Sequence, residues 1–338
     1  MNCLPETQEI ESMLGKSLNA RREMLENGKT NALRLFSGFY EGFPGLAVDL
    51  YDRTLLLFDY RVTLSALDPW MDAVQYFYLA RLPQIDCVLR KSRNSPDPLQ
   101  KNGIVTYIGL PSQQVTESGV HYAIDLTLNR DASFYLDMRN LRNWLLETSG
   151  GCSILNTFAY TGSLGVAALA GGAAEVVQTD LNKKFLAIAR KSCMLNHLDL
   201  GKMKLRPVDF FVEIGQLKKS GQLFDLVLLD PPFFSTTEKG RVDQVASSMK
   251  LINKVRPLVK DGGKIVAVNN SLFLSGEEYM RTLNELCAGG YLQIDQLIPV
   301  PEDVTGFPDT HVSSPPVSPA PFNHPTKIAV LSVKRKQV

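Results

Sequence analysis

The sequence contains few of the residues that build disulfide frameworks or metal sites. Of its 338 residues, 5 are cysteine and 4 are histidine. The cysteines are scattered without a Cys-x-x-Cys pair, and the histidines show no paired ligand spacing. These patterns exclude a disulfide-stapled fold and structural zinc, and we expect no metal site.

An excess of charge of either sign is also missing. The chain has 36 basic and 35 acidic side chains, which gives a formal net charge of +1. A balanced chain has no strong global field, so any contact with nucleic acid has to come from a local basic patch. The hydrophobic content of 44% and the charged content of 21% exclude a disordered chain.

No segment has the pattern of a signal peptide or a membrane span. The first 12 residues carry acids and a proline where a signal peptide has a basic start and an apolar run. Residues 151–174 lack charge but contain five glycines, which favours a buried strand with a ligand loop. We therefore expect a cytoplasmic protein, and its length suggests two domains.

The first part of the chain predicts a helix and a small α+β module. Helical spacing of apolar residues marks a helix within 1–30, and residues 31–118 form the module, with a plausible RNA-binding role. The polar face of the helix is either solvated or contacts phosphate. A polar loop of the module is a second candidate for RNA backbone contact. The basic residues concerned are Lys16, Arg21 and Arg22 in the helix and Arg90, Lys91, Arg93 and Lys101 in the loop.

Residues 119–338 alternate between strand and helix patterns. The apolar strands do not alternate with polar residues, as is typical of strands that are buried on both faces. This pattern predicts an α/β fold with an open, doubly wound, mostly parallel sheet of seven strands. The segment 299–325 holds 8 prolines in 27 residues, and it predicts a lid or substrate-binding loop. The predicted strands are 153–157, 175–180, 204–208, 224–230, 263–269, 291–298 and 327–333.

The ends of the first two strands predict a site for a nucleoside-containing cofactor. Gly162 follows the first strand and permits close approach of the backbone to a ligand. Asp180 ends the second strand, 18 residues later, where a carboxylate accepts both hydroxyls of a ribose. Gly162 and Gly165 lack the middle glycine of a pyrophosphate loop, which argues against an NAD enzyme. The predicted cofactor residues here are Phe158, Tyr160, Thr161, Gly162, Asp180 and Leu181.

The fourth strand ends in the tetrad Asp230-Pro231-Pro232-Phe233. The Asp230 carboxylate and the Pro231 carbonyl accept hydrogen bonds from an amino group, and Pro231 and Pro232 stiffen the turn. Phe233 offers a stacking face for an extruded base. With the cofactor loop, the tetrad predicts an S-adenosylmethionine-dependent methyltransferase, and the bland alternative is an ordinary proline-rich turn.

Two further pairs are predicted to contact the cofactor. Asp209 is either an acceptor for the adenine amino group, with Phe210 on the ring, or the N-cap of the following helix. Arg139 is a partner for the cofactor carboxylate, and Asp137 either meets the amino group or caps its helix. A plain capped helix start is the equal alternative for this second pair.

These motifs resemble a family of bacterial large-subunit ribosomal RNA methyltransferases that modify cytosine C5 or guanine. The resemblance covers about residues 34–334 and implies a Rossmann-like class I methyltransferase domain behind a small α+β module, with ribosomal RNA as substrate. The motifs that carry it are Arg34-Leu-Phe-Ser-Gly, Glu41-Gly-Phe-Pro-Gly-Leu, Phe134-Tyr-Leu-Asp-Met-Arg139, Asn156-Thr-Phe-Ala-Tyr-Thr-Gly162, Asp180 and Asp230-Pro-Pro-Phe233.

Two departures from the family pattern bear on the substrate. Members often begin with a PUA RNA-binding domain, and the roughly 30 residues before Arg34 are too few for one. Cytosine-C5 members carry Ser-Cys-Ser after the fifth strand, where this chain has Asn269-Asn270-Ser271. Covalent activation of cytosine then lacks its thiolate. The resemblance therefore implies methylation of a guanine nitrogen by direct displacement.

The end of the proline-rich segment supplies the remaining substrate candidates, together with Asn269 and Asn270. Phe322, Asn323 or His324 contacts the base if the segment folds over the site, and an exposed histidine is the alternative. Methylation of a protein amide or a small heteroaromatic molecule is the second hypothesis, and a catalytically silent RNA-binding or assembly factor is the third. A homodimer is a further expectation.

Overall fold

The computed structural model of the protein describes residues 6–61 and 68–335. The chain divides into two compact units: unit 1 comprises Met1–Leu136 and Pro301–Pro315, and unit 2 comprises Asp137–Val300 and Pro316–Val338. The first boundary lies beyond the predicted one at residue 118. The reason is that the backbone N–H of Asn31 donates to Thr116 O (3.1 Å), and that of Ser118 donates to Lys29 O (2.7 Å). These bonds tie the following hairpin to unit 1. Parts of the predicted segments, 1–5 and 336–338, lie outside the described residues.

Unit 1 is built on a five-stranded sheet. Its order is β1-β2-β3-β4-β5, with β3 and β4 parallel and the other neighbours antiparallel. Apolar residues of α1 and α4 complete the core, among them Ile10, Leu14 and Val74. The strands are β1 (Ala32–Ser37), β2 (Leu46–Tyr51), β3 (Thr54–Asp59), β4 (Cys87–Ser92), β5 (Ile104–Tyr107), β6 (Gln114–Glu117) and β7 (Val120–Ala123). The helices are α1 (Thr7–Ala20), α2 (Arg22–Glu26), α3 (Gly38–Glu41), α4 (Pro69–Leu79) and α5 (Pro98–Asn102).

Two of the basic residues predicted to contact RNA are buried inside unit 1 and bonded there. Arg21 is fully buried and pairs with Glu41 at 2.8 Å. Lys91 is also fully buried, and its ammonium donates to the carbonyls of Asn129 (2.7 Å) and Asp131 (2.5 Å). Burial lowers the pKa of Lys91 to about 8. Because Arg21 and Lys91 have no open face, the structure corrects the phosphate-contact alternative for them; Lys16 and Arg22 remain exposed.

More than half of the predicted lid belongs to the fold of unit 1. The carboxylate of Asp303 accepts from the backbone N–H of Arg34 (3.0 Å), and the hydroxyl of Ser37 donates to Val304 O (2.7 Å). The backbone N–H of Val312 donates to Tyr40 O (2.8 Å). Residues 301–315 therefore form an anchored strap, and residues 316–325 belong to unit 2.

Unit 2 contains the predicted doubly wound sheet. Seven strands pair in the order β10-β9-β8-β11-β14-β16-β15, all parallel except β16. The strands are β8 (Ser153–Thr157), β9 (Glu175–Asp180), β10 (Met203–Pro207), β11 (Phe224–Leu229), β12 (Phe234–Thr237), β13 (Gly240–Asp243), β14 (Val259–Asn269), β15 (Leu292–Ile298) and β16 (Lys327–Val333). The helices are α6 (Arg139–Thr148), α7 (Ser163–Ala170), α8 (Lys183–Leu195), α9 (Phe210–Ser220), α10 (Ser248–Val255) and α11 (Gly276–Cys287). The predicted fold class is confirmed.

The strand order fixes where a ligand site forms. The chain runs outward from β8 to β10 on one side and from β11 to β15 on the other, so the switch point lies between β8 and β11. Ligands of open α/β sheets bind beyond the carboxyl ends of the strands at this point. Across the described residues, no helix has the length and apolar character needed to cross a membrane.

Candidate functional site

The loop after β8 has an unusual backbone. Phe158 (φ 53°), Tyr160 (φ 52°) and Gly162 (φ 76°) all adopt positive φ, which is uncommon for bulky residues and is concentrated at functional sites. A Cβ on Gly162 would lie 2.4 Å from the Cβ of Ala189 and 2.7 Å from Oε1 of Gln178. Packing inside the protein therefore requires a glycine at this position, whether or not a ligand also approaches its backbone. Thr161 is buried beside it.

Asp180 at the end of β9 holds this loop. Its carboxylate accepts the backbone N–H of Tyr160 (2.9 Å) and of Asn182 (2.8 Å). Burial raises the pKa of Asp180 against the opposing effect of these two bonds. A carboxylate has about four lone-pair sites, so two remain for hydroxyl donors. The next residue, Leu181, is 66% exposed and offers an apolar surface.

Asp209 is occupied by the protein itself. It is the N-cap of α9, and its Oδ1 accepts from the backbone N–H of Phe211 (2.8 Å) and Val212 (3.3 Å). Its Oδ2 accepts from the hydroxyl of Thr237 (2.8 Å). The geometry thus favours the capping alternative over an adenine contact for this carboxylate. Phe210 is buried and stacks on Phe158 with ring centroids 4.5 Å apart.

Asp230, directly after β11, is a partly buried acid without a partner among the residues that the structure describes. Its carboxylate forms no ion pair or hydrogen bond there. Burial, and then the negative charge of Asp137, raise the pKa of Asp230 to about 7. Asp137 accepts from the hydroxyl of Thr326 (2.8 Å), and Arg139 is buried at the start of α6. The two neighbouring acids make this position favourable for a cationic ligand.

Of the other three tetrad residues, Pro231 is hydrogen-bonded within the protein, whereas Pro232 and Phe233 are exposed to solvent. The carbonyl of Pro231 accepts from the side-chain amide of Gln244, which is fully buried. This bond was not predicted, and it takes up one acceptor position that was assigned to the substrate. Pro232 is exposed, and the ring of Phe233 is 42% exposed. The carboxylate of Asp230, which has no partner among the described residues, and the exposed ring of Phe233 are therefore the recognition groups of the tetrad that the protein leaves available to a substrate.

Asn269 and Asn270 end β14 in the same polar network. The amide of Asn269 is fully buried and donates to Gln244 O (3.0 Å) and to the hydroxyl of Ser248 (3.0 Å). The backbone N–H of Asn270 donates to Oε1 of Gln244 (2.6 Å). Asn269 is accordingly an internal bracing residue, and it does not enter the proposed substrate site.

The three predicted residues of the proline-rich segment do not act together. Phe322 is 7% exposed and packs in the core, with its ring centroid 5.8 Å from that of Tyr279, so the structure corrects its predicted contact with a base. The amide of Asn323 makes two bonds to the backbone of Val300, at 2.9 and 2.8 Å. Nδ1 of His324 accepts from the backbone N–H of Thr326 (3.0 Å). The structure gives these two side chains local bracing roles.

Sequence reasoning missed three features beside the tetrad. One is the hairpin of β12 and β13 that follows Phe233 directly, and another is the buried Gln244. The third is Phe273, which is 73% exposed and lies with its ring centroid 5.9 Å from that of Phe233. The signal for Phe273 was an apolar run of three residues, Leu272-Phe273-Leu274, between two serines after a strand.

Comparison with known proteins is consistent with this geometry. A family model described as S-adenosylmethionine-dependent methyltransferase matches residues 89–306. The Bacillus subtilis (strain 168) protein YwbD, named as a candidate ribosomal RNA large subunit methyltransferase, is 30% identical over 77% of this chain and 66% of its own length. A Deinococcus radiodurans protein named ribosomal RNA large subunit methyltransferase is 31% identical over 75% of this chain and 62% of its own. The chain thus spans slightly less than two thirds of these relatives.

The fold has a solved counterpart. A crystal structure of SMU.776 with S-adenosylhomocysteine superposes with a TM-score of 0.85, at 22% identity, over 98% of this chain and 83% of that one. At this level of identity the similarity establishes the fold.

Proposed function

Because the chain belongs to the S-adenosylmethionine-dependent methyltransferase family, we propose that it transfers a methyl group to a base nitrogen of large-subunit ribosomal RNA, with guanine favoured. The names of the relatives support ribosomal RNA as the substrate class. The choice of a nitrogen rests on this chain's own residues.

The observation that carries the proposal is the carboxylate of Asp230, which has no partner among the described residues, in the same tetrad as the exposed ring of Phe233. An amino group on a planar base presents hydrogen-bond donors to such a carboxylate while its ring stacks on the aromatic face. Asp230 thus orients the acceptor nitrogen, and it stabilises positive charge that develops on an exocyclic amine. This chemistry is mainly positioning and electrostatics, as suits a reaction with an already activated donor.

The residues present fit the cofactor. Asp180 retains acceptor positions for ribose hydroxyls, and the strained loop 158–162 lies against it. Asp137 and Asp230 supply negative charge for a ligand that carries an ammonium and a sulfonium. When bound, S-adenosylmethionine supplies a methyl group on a positively charged sulfur. In this proposal Asp180 and the loop hold the nucleoside, and Asp137 and Arg139 lie toward the amino-acid part.

The position of the cysteines supports nitrogen over cytosine C5. Cys152 lies at the amino end of β8, Cys193 lies in α8 and Cys287 ends α11. The remaining described cysteine, Cys87, lies in β4 of unit 1. Within the described chain no thiol therefore lies in the loop directly after β11 or β14, where covalent attack on a base requires one.

The test is transfer of labelled methyl groups to total RNA from cells that lack this protein, with cell protein as a parallel acceptor. Digestion to nucleosides then identifies the product. We expect label in a methylguanosine. The substitution Asp230→Ala should reduce turnover by about 100–1,000-fold, with a loss of cofactor affinity below about tenfold.

Asp295→Asn is the matched control, because this carboxylate of β15 is paired with Lys264 rather than left open. It should retain full turnover. Label in cytosine C5 would overturn the nitrogen assignment. Label only in protein, or none despite cofactor binding, would remove RNA from the proposal.

A further inference from the structure

Two phenylalanine rings stand open to solvent on neighbouring loops of unit 2. Phe233 follows β11 and Phe273 follows β14, and these strands are adjacent and parallel. The rings are 42% and 73% exposed, and they are inclined by 54° with centroids 5.9 Å apart. Such exposed aromatic faces are unfavourable in water and mark binding surfaces when they are held together.

A buried polar network holds the two loops. Gln244 bonds to the Pro231 carbonyl on one loop, and its Oε1 accepts the backbone N–H of Asn270 (2.6 Å) on the other. The ammonium of the fully buried Lys327 donates to the carbonyl of Ser271 (2.9 Å). Satisfied buried networks of this kind rigidify the structure. The two rings are therefore presented in a fixed arrangement.

The spacing of the rings decides how they can be used. A base inserted between two parallel faces needs a separation of about 7–8 Å, twice the optimal carbon–carbon contact distance of about 3.5–4.0 Å. The observed 5.9 Å and the inclination of 54° are unsuited to such a sandwich. The rings instead form two adjacent faces, each of which is open to a different base.

We propose that Phe273 binds the base of the nucleotide next to the acceptor, while Phe233 stacks on the acceptor itself. This inference rests on the proposed function and extends it to the substrate: the RNA is single-stranded or opened over at least two consecutive nucleotides. Exposed cations lie on the hairpin that begins immediately after Phe233. Lys239 and Arg241 are exposed there; the guanidinium of Arg241 pairs with Asp243 at 2.9 Å and lies 4.9 Å from the ring centroid of Phe234. Lys239 is the cation of this hairpin that complements a phosphate backbone passing this surface.

The test compares Phe273→Ala, Phe273→Leu and Phe273→Trp on the RNA fragment around the methylated nucleotide. At saturating S-adenosylmethionine, alanine and leucine should each lower kcat/KM for RNA by about 5–100-fold, the range for one stacked base. Tryptophan should retain at least about half of the activity, because it keeps a planar face. Affinity for S-adenosylhomocysteine, measured by calorimetry, should stay within about twofold.

The matched control is Tyr291→Ala, since this exposed tyrosine lies at the amino end of the edge strand β15, whereas the two rings follow the carboxyl ends of β11 and β14. It should leave kcat/KM unchanged. A second arm replaces either neighbour of the acceptor by an abasic nucleotide. One of these two abasic substitutions should reduce the activity of the unsubstituted protein. The same abasic substitution should have little further effect on the activity of Phe273→Ala, as expected if Phe273 contacts that base.

The outcomes separate this inference from the proposed function. A protein that methylates no RNA removes both. RNA methylation with Phe273→Ala or Phe273→Leu within about twofold of the unsubstituted protein overturns the role of Phe273 alone. So does full additivity of Phe273→Ala with both abasic substitutions.

Discussion

Replacing Asp230 by asparagine should stabilise the ligand-free protein, and more so at high pH. In the folded protein the pKa of Asp230 lies at about 7, against 3.8 for an ordinary aspartate. Between these values the folded state holds a proton that the unfolded state has released. The stability of the protein therefore falls as pH rises through this window. An asparagine side chain does not titrate, so Asp230→Asn removes this contribution.

The expected magnitude follows from the pKa difference. One pKa unit corresponds to about 1.4 kcal/mol, so ionised Asp230 costs about 4 kcal/mol above pH 7. At pH 5 the same reasoning gives about 2 kcal/mol, because only the interval from 3.8 to 5 contributes. The advantage of Asp230→Asn should thus grow by about 2–3 kcal/mol between pH 5 and pH 8. For a unit of this size that is about 4–12 °C in Tm.

The assay is thermal unfolding of both proteins, without ligand, at pH 5 and pH 8. Asp295→Asn is the control, because the pKa of Asp295 is shifted in the direction opposite to that of Asp230. Burial acts to raise the pKa of Asp295, but hydrogen bonds from Lys264 and Ser332 outweigh it and the pKa is lowered. Its stabilising contribution is complete across pH 5–8, so Asp295→Asn should lose the same amount at both values. An equal gain of Asp230→Asn at the two pH values would refute the reasoning.

Two further predictions concern the cofactor loop and the core of unit 1. Asp180→Asn should weaken binding of S-adenosylhomocysteine by about 10–100-fold, as for the loss of hydrogen bonds to a charged group; unchanged affinity in calorimetry would exclude Asp180 from the site. Glu41→Gln leaves the buried Arg21 without its charge partner and should lower the free energy of unfolding by about 3–5 kcal/mol. The control Asp86→Asn breaks an exposed pair with Arg53 and should cost at most about 1 kcal/mol in the same denaturation experiment.

The frame of unit 2 was predictable because its strands are buried on both faces. The predicted bounds 153–157, 175–180 and 327–333 coincide with β8, β9 and β16. Continuous apolar runs bounded by polar or glycine-rich turns carry this information locally. Asp180, which ends β9, and Asp230, which follows β11, were likewise visible in the sequence, because a strand end is a local feature.

The details that depend on distant partners were not predictable. Nothing near Gln244 in the sequence indicates that its amide reaches the carbonyl of Pro231. The sequence left two alternatives for Asp209, a contact with adenine or an N-cap. Only the structure shows that the hydroxyl of Thr237 donates to its second carboxylate oxygen. The proline-rich segment predicts a lid or substrate-binding loop, because its hydrogen bonds to residues about 270 positions earlier leave no local pattern in the sequence.

The strap 301–315 has a consequence for how the protein is made. Unit 1 is discontinuous, so its last piece leaves the ribosome about 180 residues after Leu136. At 5–20 residues per second this is a delay of about 10–35 s. During that time the backbone N–H of Arg34 and the hydroxyl of Ser37 lack the partners that Asp303 and Val304 later supply. The amino-terminal unit thus completes its fold only after the whole region that contributes the cofactor loop and the tetrad has been synthesised.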